Sequence, residues 1–257
     1  MRVLNTQISA CAAGKQENKM VTLIKKEQMF VSNQGWLKSR FHFSFAEYRD
    51  FNNINFGSLR VLNDDIIHPQ SGFGMHPHND MEIISYIVDG EITHKDSMGN
   101  ERTLSRGEVQ YMSAGTGVMH SEYNNHKSKD LRLLQIWILP PQKGLQPHYG
   151  DVLYKEDERK NRLLHVASNK DADDAKVKLY QDVNIYVCEL DAGKEIDFEI
   201  SQNRQIYYVQ IEGEALIEGL HVKCDASNGD ALKIVDEKAL YIRAISQTHF
   251  LFIEMAI

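Results

Sequence analysis

The chain has 257 residues, enough for one large domain or for two domains of about 100 to 130 residues. Its composition is that of a globular protein, and its net charge of -7 argues against a surface that binds nucleic acid or an anionic membrane. No apolar run approaches the length of a transmembrane helix. The three cysteines, Cys11, Cys188 and Cys224, are far apart in the sequence. This spacing argues against a disulfide framework or a zinc ribbon, and a reducing cytoplasm is the expected location.

The first twenty residues are predicted to be an extension ahead of the folded domains. The tetrapeptide at residues 8–11, Ile-Ser-Ala-Cys, resembles the cleavage box of a lipoprotein. The residues before it are too few and too polar to form the apolar core of a leader peptide. A compact domain is therefore expected to begin at residue 21.

Short apolar runs, broken by Gly, Asn and Asp, fill the stretch from residue 21 to about residue 139. Turns that recur at about eight to twelve residues are typical of an antiparallel sandwich or barrel. No long stretch has the period of a helix, so helices are expected to be few and short. The predicted strands include residues 57–62, 82–88, 90–94, 109–112 and 131–139.

The second half of the chain echoes the first. Residues 140–176 contain three of the five prolines and much charge, which predicts a linker or surface crossover. Beyond it, residues 207–214 follow the pattern of residues 84–91, since both are apolar strands that end in acid-Gly-Glu. We therefore predict an all-β protein with two jelly-roll β-barrels in tandem, at residues 21–145 and 146–257.

Two short pairs of metal-binding residue types stand out, His76 with His78 and His120 with Glu122. Within each pair the side chains are two positions apart, and in an extended strand such side chains point to the same face. The separation of the pairs leaves room for the chain to return to a strand beside the first one. Three imidazoles and one carboxylate would then meet, a ligand set expected for iron, nickel, manganese, copper or zinc.

The alternative is that both pairs are incidental. Two pairs with the right alternation, one barrel return apart, favour a metal site instead. In the second half His221 and His249 are isolated, so that barrel is predicted to have no metal site. Four further histidines match no ligand pair and are predicted to be ordinary surface or loop residues: His42, His68, His94 and His126.

Four stretches, in this order, resemble the pirin family, whose members are two-domain (bicupin) proteins of the cupin superfamily. They are GWLKSRFHFSFA at 35–46, GFGMHPH at 72–78, DSMGN at 96–100 and MSAGTGVMHSEY at 112–123. The resemblance is closest to bacterial pirins that act as quercetinases, and it covers residues 21–145 best. It implies an N-terminal cupin domain with a metal site and a C-terminal cupin domain without one.

The resemblance also implies a chemistry. The metal ligands would be His76, His78, His120 and Glu122. The favoured metal would be Fe(II), and Ni, Mn, Cu or Zn could take its place. The activity would be that of quercetin 2,3-dioxygenase, in which O2 opens a flavonol ring and carbon monoxide is released. The implied partners are a small aromatic substrate and O2, without nucleic acid or membrane, and the implied state is a monomer.

Further roles are predicted around these ligands. Glu122 is the candidate general base, because a carboxylate ligand can also accept a proton. Glu82 lies where other cupins often have a ligand, and it is predicted to orient a ligand or line the cavity. Apolar side chains near the motifs are predicted to frame a pocket for a flat aromatic substrate, although for each of them taken singly an ordinary core position is the stronger interpretation: Phe73, Met75, Met81, Met112 and Met119.

Two alternatives to an enzyme stay open. The same centre could serve a sensor or a protein-interaction and regulatory module that performs no physiological turnover, because cupin folds support many functions. Four protein ligands could also saturate a structural zinc ion.

Overall fold

The computed structural model describes residues 20–169, 171, 174–217, 220–225 and 228–257. The extension predicted at residues 1–20 lies outside the described residues except for Met20, where the first strand begins. The all-β prediction is confirmed: one four-residue helix, α1 (Glu156–Arg159), and a 3-10 turn at Lys26–Gln28 are the helical segments of the described chain. No helix in that part of the chain has the length and apolarity that crossing a membrane requires.

Eleven of the first twelve strands, all except the first, build two antiparallel sheets. The twelve strands are β1 (Met20–Ile24), β2 (Phe30–Asn33), β3 (Leu37–Phe41), β4 (Leu59–Ile67), β5 (Ser71–His78), β6 (Glu82–Asp89), β7 (Glu91–Asp96), β8 (Glu101–Ser105), β9 (Glu108–Ser113), β10 (Val118–Asn124), β11 (Leu131–Ile138) and β12 (His148–Leu153). A seven-stranded sheet has the order β12-β9-β6-β11-β4-β3-β2, and a four-stranded sheet has the order β5-β10-β7-β8. The inner faces of these two sheets enclose the site described below.

The remaining ten strands form, together with β1, one large sheet of eleven strands. They are β13 (Leu164–Asn169), β14 (Val177–Leu179), β15 (Val183–Leu190), β16 (Glu195–Glu199), β17 (Arg204–Ile217), β18 (Leu220–Asp225), β19 (Asn228–Gly229), β20 (Ala231–Val235), β21 (Ala239–Ala244) and β22 (Thr248–Ala256). Its main path is β1-β20-β17-β22-β15-β13-β14, and β16, β18, β19 and β21 branch from it. The long strand β17 pairs with β20 and β22 along its first part and with β18 and β21 along its second.

The two halves exchange edge strands. Strand β1 pairs with β20, so the segment that begins the predicted domain 21–145 is hydrogen-bonded into the sheet of the second half. Strand β12 pairs with β9 of the first half, although it lies within the predicted domain 146–257. The stretch 140–176 is therefore not a plain linker, since it contains β12, α1 and β13. Proline and charge content show where a chain leaves a core, but not which free sheet edge its next strand will meet.

One continuous apolar core joins the halves. The outer face of the seven-stranded sheet supplies Ile84, Tyr86 and Tyr111, and the large sheet supplies Tyr207 and Leu251. Polar side chains also meet between the halves: the Tyr86 hydroxyl lies 2.8 Å from a ring nitrogen (Nε2) of His249. The two halves therefore pack directly against each other.

His42 lies at this boundary, just after β3; it is in a loop, as predicted, but its side chain is buried and not at the surface. The side chain is 3% exposed, and its Nδ1 lies 3.0 Å from the Tyr207 hydroxyl. Burial, assisted by the nearby charge of Arg40, lowers the pKa of His42 to about 3. The unfolded chain binds a proton here near pH 6.5, and the folded chain does not until near pH 3. Stability is therefore lost as the pH falls below 6.5.

The variant His42→Asn should flatten this acid sensitivity, because its amide can replace Nδ1 near Tyr207 and does not titrate. We expect the parent to lose about 3 kcal/mol more than the variant between pH 7 and pH 4. Urea unfolding at pH 4, 5, 6 and 7 measures this difference. The exposed His68 provides the control as His68→Asn, and parallel pH curves for parent and His42→Asn would contradict the assignment.

Candidate metal centre

Strands β5 and β10 are antiparallel neighbours, and their register places His120 opposite His76. Since alternate residues share a face, His78 points the same way. The imidazole centroids of His76, His78 and His120 lie 4.5 to 4.8 Å apart, and one ring nitrogen from each lies within 4.8 Å of the others. Close strand approach needs Gly72, where an added Cβ would lie 2.3 Å from the carbonyl oxygen of Glu122. The structure thus brings together the three predicted imidazoles.

Two of these imidazoles, those of His78 and His120, are held neutral. Burial, with repulsion from the neighbouring rings, lowers the pKa of His120 to about 3 and that of His78 to about 4. In His76, Nδ1 lies 2.7 Å from the carbonyl oxygen of Gly74. A carbonyl only accepts, so in the neutral form of this ring Nδ1 carries the proton and the Nε2 lone pair faces the centre, 3.0 Å from Nε2 of His120. Neutral imidazoles with inward lone pairs are the form that binds a metal, so this donor set fits a divalent transition metal.

The carboxylate of Glu122 is fixed by three donors from the facing sheet. One oxygen accepts from Ser85 Oγ at 3.0 Å and from Gln110 Nε2 at 3.1 Å, and the other accepts from Gln135 Nε2 at 2.8 Å. A register shift on β10 between His120 and Glu122 accompanies this placement. Sequence reasoning missed the three donors, although each is a polar residue inside an apolar strand and is buried.

Glu122 lines the same cavity as the three imidazoles, but its nearest metal-binding neighbours differ. Its carboxylate forms a second group with His120 and His94, whose candidate ligand atoms lie within 4.8 Å of one another. Ligation by Glu122 stays a prediction. The prediction that His94 is a surface or loop residue was wrong, because it is fully buried on β7. Its spacing of i, i+2 from Asp96 repeats the spacing of the other two pairs and could have identified it.

A cavity of about 190 Å³ adjoins the imidazoles and is lined on one side by aromatic and aliphatic groups. Trp137 packs edge-on against His78 at 4.9 Å and against Phe45 at 5.4 Å between ring centroids. Phe73 and Ile83 complete this apolar wall. Such a wall can pack against an aromatic ring. A separate cleft of about 250 Å³ lies beyond Phe45 and contains none of the converging histidines.

Phe73 is the one predicted pocket residue that lines this cavity. Met75 and Met119 alternate with inward-pointing histidines, so they point outward and are 50% and 38% exposed. Met112 and Met81 pack with neighbouring apolar groups instead of lining the cavity. Nearness in sequence to a ligand was the wrong criterion, because alternation along a strand decides which face a side chain occupies.

Glu82 also lies on the opposite face from the predicted one. Its neighbour Ile83 lines the cavity, so Glu82 points to the second half. There its carboxylate accepts from the Tyr111 hydroxyl at 3.1 Å and from the backbone N–H groups of Tyr180 and Gln181 at 2.7 and 2.9 Å. Glu82 therefore ties the halves together and does not orient a histidine.

Asp65 is a second carboxyl group in the cavity, and sequence reasoning missed it. Burial raises its pKa to about 7 against a hydrogen bond from Ser39, and the negative charges of Asp64 and Glu122 raise it further. One of its oxygens, Oδ1, is buried without a hydrogen-bond partner in the described part of the chain. An acidic residue inside the apolar strand β4 was the available signal.

Comparison with known proteins agrees with this architecture. The sequence model of the pirin family matches residues 24–138, and that of the quercetinase C-terminal cupin domain matches residues 165–255. A protein of Escherichia coli K12 named quercetin 2,3-dioxygenase is 39% identical over 236 residues, which are 92% of this chain and 99% of that protein. A pirin-like protein of Caulobacter vibrioides is 38% identical and covers 88% of this chain and 95% of its own length.

Solved structures agree as well. The crystal structure of YhhW from Escherichia coli superimposes with a TM-score of 0.85 at 38% identity, over 92% of this chain and 97% of that one. The nickel(II) complex of this bacterial pirin gives a TM-score of 0.84 at 38% identity, over 92% of this chain and 99% of that one. The predicted tandem-cupin fold is confirmed by these matches. From its two halves, its sequence relatives and these structures, the chain belongs to the pirin family.

Proposed function

We propose that this chain is a metal-dependent quercetin 2,3-dioxygenase that holds one divalent transition metal through His76, His78, His120 and Glu122. The observation that carries the proposal is the convergence of three imidazoles at one end of an aromatic-walled cavity. Relatives named quercetin 2,3-dioxygenase and the nickel(II) complex of YhhW support it. Fe(II) is the favoured metal, and the same donors suit Ni, Mn, Cu or Zn.

The metal would supply Lewis-acid and redox chemistry at the imidazole end of the cavity. Side chains of the protein would orient the substrate and accept its proton. Trp137, Phe45 and Phe73 orient the flat rings of a flavonol so that its 3-hydroxyl faces the centre. Glu122 accepts the proton of this hydroxyl, because its carboxylate lines the cavity and is held in one orientation by three donors. O2 enters the product, and one ring carbon leaves as carbon monoxide.

The proposal assigns this chemistry to the first half. Both groups of converging metal-binding side chains found in the described residues lie there. In the second half, His249 is buried and contacts the Tyr86 hydroxyl and the Glu212 carboxylate. That histidine is therefore part of the packing between the halves, and the second half supports the first.

Turnover tests the proposal directly. The protein is stripped with a chelator, reloaded without oxygen with Fe(II), Ni(II), Mn(II), Cu(II) or Zn(II), and mixed with quercetin and O2. We expect quercetin decay with stoichiometric carbon monoxide for at least one redox-active metal. The variant Glu122→Gln keeps the shape of the side chain and should lose about 100-fold or more in kcat.

The exposed Glu101, changed to Gln, is the matched control and should behave as the parent. Metal binding without turnover of quercetin or related flavonols would overturn the enzyme proposal. That result would leave a metal-dependent sensor or interaction module as the function to test.

A further inference from the structure

His120 has a second ring nitrogen that the metal proposal does not use. Its Nε2 faces His76, and its Nδ1 is buried without a hydrogen-bond partner among the residues that the structure describes. If the Nε2 lone pair binds a metal, the proton of the neutral ring must sit on Nδ1. A buried N–H then needs an acceptor, and in metal sites that acceptor orients the ligand.

His94 is placed to be this acceptor. The pairing of β7 with β10 sets His94 opposite Glu122 and Asp96 opposite His120, so His94 is the diagonal neighbour of His120 on the inner face. The two imidazole centroids lie 5.4 Å apart. The Nδ1 of His94 is likewise buried and without a partner within the described ranges.

The tautomer of His94 is set by its other nitrogen. Nε2 lies 3.2 Å from Oδ2 of Asp96, whose carboxylate also accepts from the backbone N–H groups of Met98 and Asn100 at 2.9 and 3.0 Å. A carboxylate in this network accepts, so in the neutral ring Nε2 of His94 carries the proton and Nδ1 keeps its lone pair. Tyr149 stacks on the ring at 4.7 Å and 18°, which fixes its plane.

We propose that His94 is a positioning residue: Asp96 fixes its tautomer, and its Nδ1 accepts the Nδ1–H of His120 when Nε2 of His120 is a metal ligand. The proposal rests on the proposed metal site. The chain from Asp96 through His94 to His120 would hold the ligand ring in one orientation and make it a stronger donor. Gln110 Oε1 is a second buried acceptor without a partner in the described chain, and it is the competing candidate.

Two amide variants separate the roles of the two nitrogens of His94. In His94→Asn the amide oxygen can occupy the place of Nδ1 and still accept from His120. In His94→Gln the amide reaches the place of Nε2, so contact with Asp96 persists and the acceptor for His120 is lost. We expect His94→Gln to lower the affinity for Zn(II) about 10- to 100-fold and His94→Asn to lower it much less. Competition with a chelator measures both, with His68→Gln as control.

NMR of the imidazole nitrogens measures which nitrogen carries the proton, a property that a change in packing alone would not alter. In the Zn(II)-loaded parent, long-range 1H–15N spectra should show His120 protonated at Nδ1 and His94 protonated at Nε2. In His94→Gln the His120 Nδ1–H signal should shift or exchange faster with water. The His94 tautomer should be the same in the metal-free protein, because Asp96 sets it.

Several results would overturn the proposal. Parental affinity and an unchanged His120 spectrum in His94→Gln would assign the acceptor role to Gln110. Two Zn(II) ions per chain would make His94 a ligand of a second ion. A parent that binds no Zn(II), Ni(II) or Fe(II) while its His94 tautomer is as expected would instead remove the proposed metal site on which the role depends.

Discussion

The variant His120→Ala is expected to lower the affinity for a divalent metal by at least about 100-fold. His120 is the one side chain shared by both groups of converging donors, and its Nε2 lies 3.0 Å from that of His76. Zinc sites with four ligands bind with about 10 to 16 kcal/mol, so one ligand is worth about 3 kcal/mol. Titration calorimetry with Zn(II) and Ni(II) measures the loss.

Thermal unfolding gives a second measurement of the same effect. Metal at 100 times its Kd should stabilise the parent by about 2.7 kcal/mol, or about 5 to 10 °C in Tm for a chain of this size. His120→Ala should lose this increase. The control His68→Ala removes an exposed imidazole and should keep it. A metal-induced rise in Tm that persists in His120→Ala would show that the ion binds elsewhere.

The variant Asp65→Asn is expected to be more stable than the parent at pH 8, by about 2 to 4 kcal/mol. The folded-state pKa of about 7 lies far above the value of about 3.8 for a free Asp. Between pH 4 and pH 7 the folded chain therefore binds more protons than the unfolded chain. The parent loses stability as the pH rises through this window, and Asn does not titrate.

Urea unfolding of chelator-treated protein at pH 4, 5.5, 7 and 8 tests this sign. The difference between variant and parent should be smallest at pH 4 and largest at pH 8. The exposed Asp197, changed to Asn, should give a difference that does not depend on pH. A parent whose stability is flat from pH 4 to pH 8 relative to Asp65→Asn would contradict the raised pKa. A buried carboxyl group that lowers the stability of the fold is expected to be kept for a functional role in the cavity.

The sequence could predict those parts of the site whose geometry is set by residues close together on one strand. The inward pairing of His76 with His78 follows from strand alternation alone, and the structure places these rings together. The same alternation predicts that Met75 and Met119 point outward, between the inward-pointing histidines. Sequence proximity to a motif does not predict which face a side chain occupies, and both methionines point outward.

The rest of the site depends on which strands face each other. Ser85, Gln110 and Gln135 come from three strands of one sheet and meet Glu122 from the other sheet. No spacing rule links these positions, because contacts across a sandwich are set by how two sheets stack. For the same reason the exchange of β1 and β12 between the halves was not visible in proline or charge content.

Strand β6 has a consequence for how distant substitutions act on this protein. Ile83 and Ser85 on one face contact the cavity and Glu122, whereas Glu82, Ile84 and Tyr86 on the other face are buried against the second half. Strand β6 thus lies between the proposed catalytic cavity and the core of the second half. Among the described residues of that half, no three metal-binding side chains converge. Substitutions in that core can shift β6 and, with it, the Ser85 donor to Glu122. Variants far from the cavity that alter turnover should therefore cluster in the second half where it contacts β6.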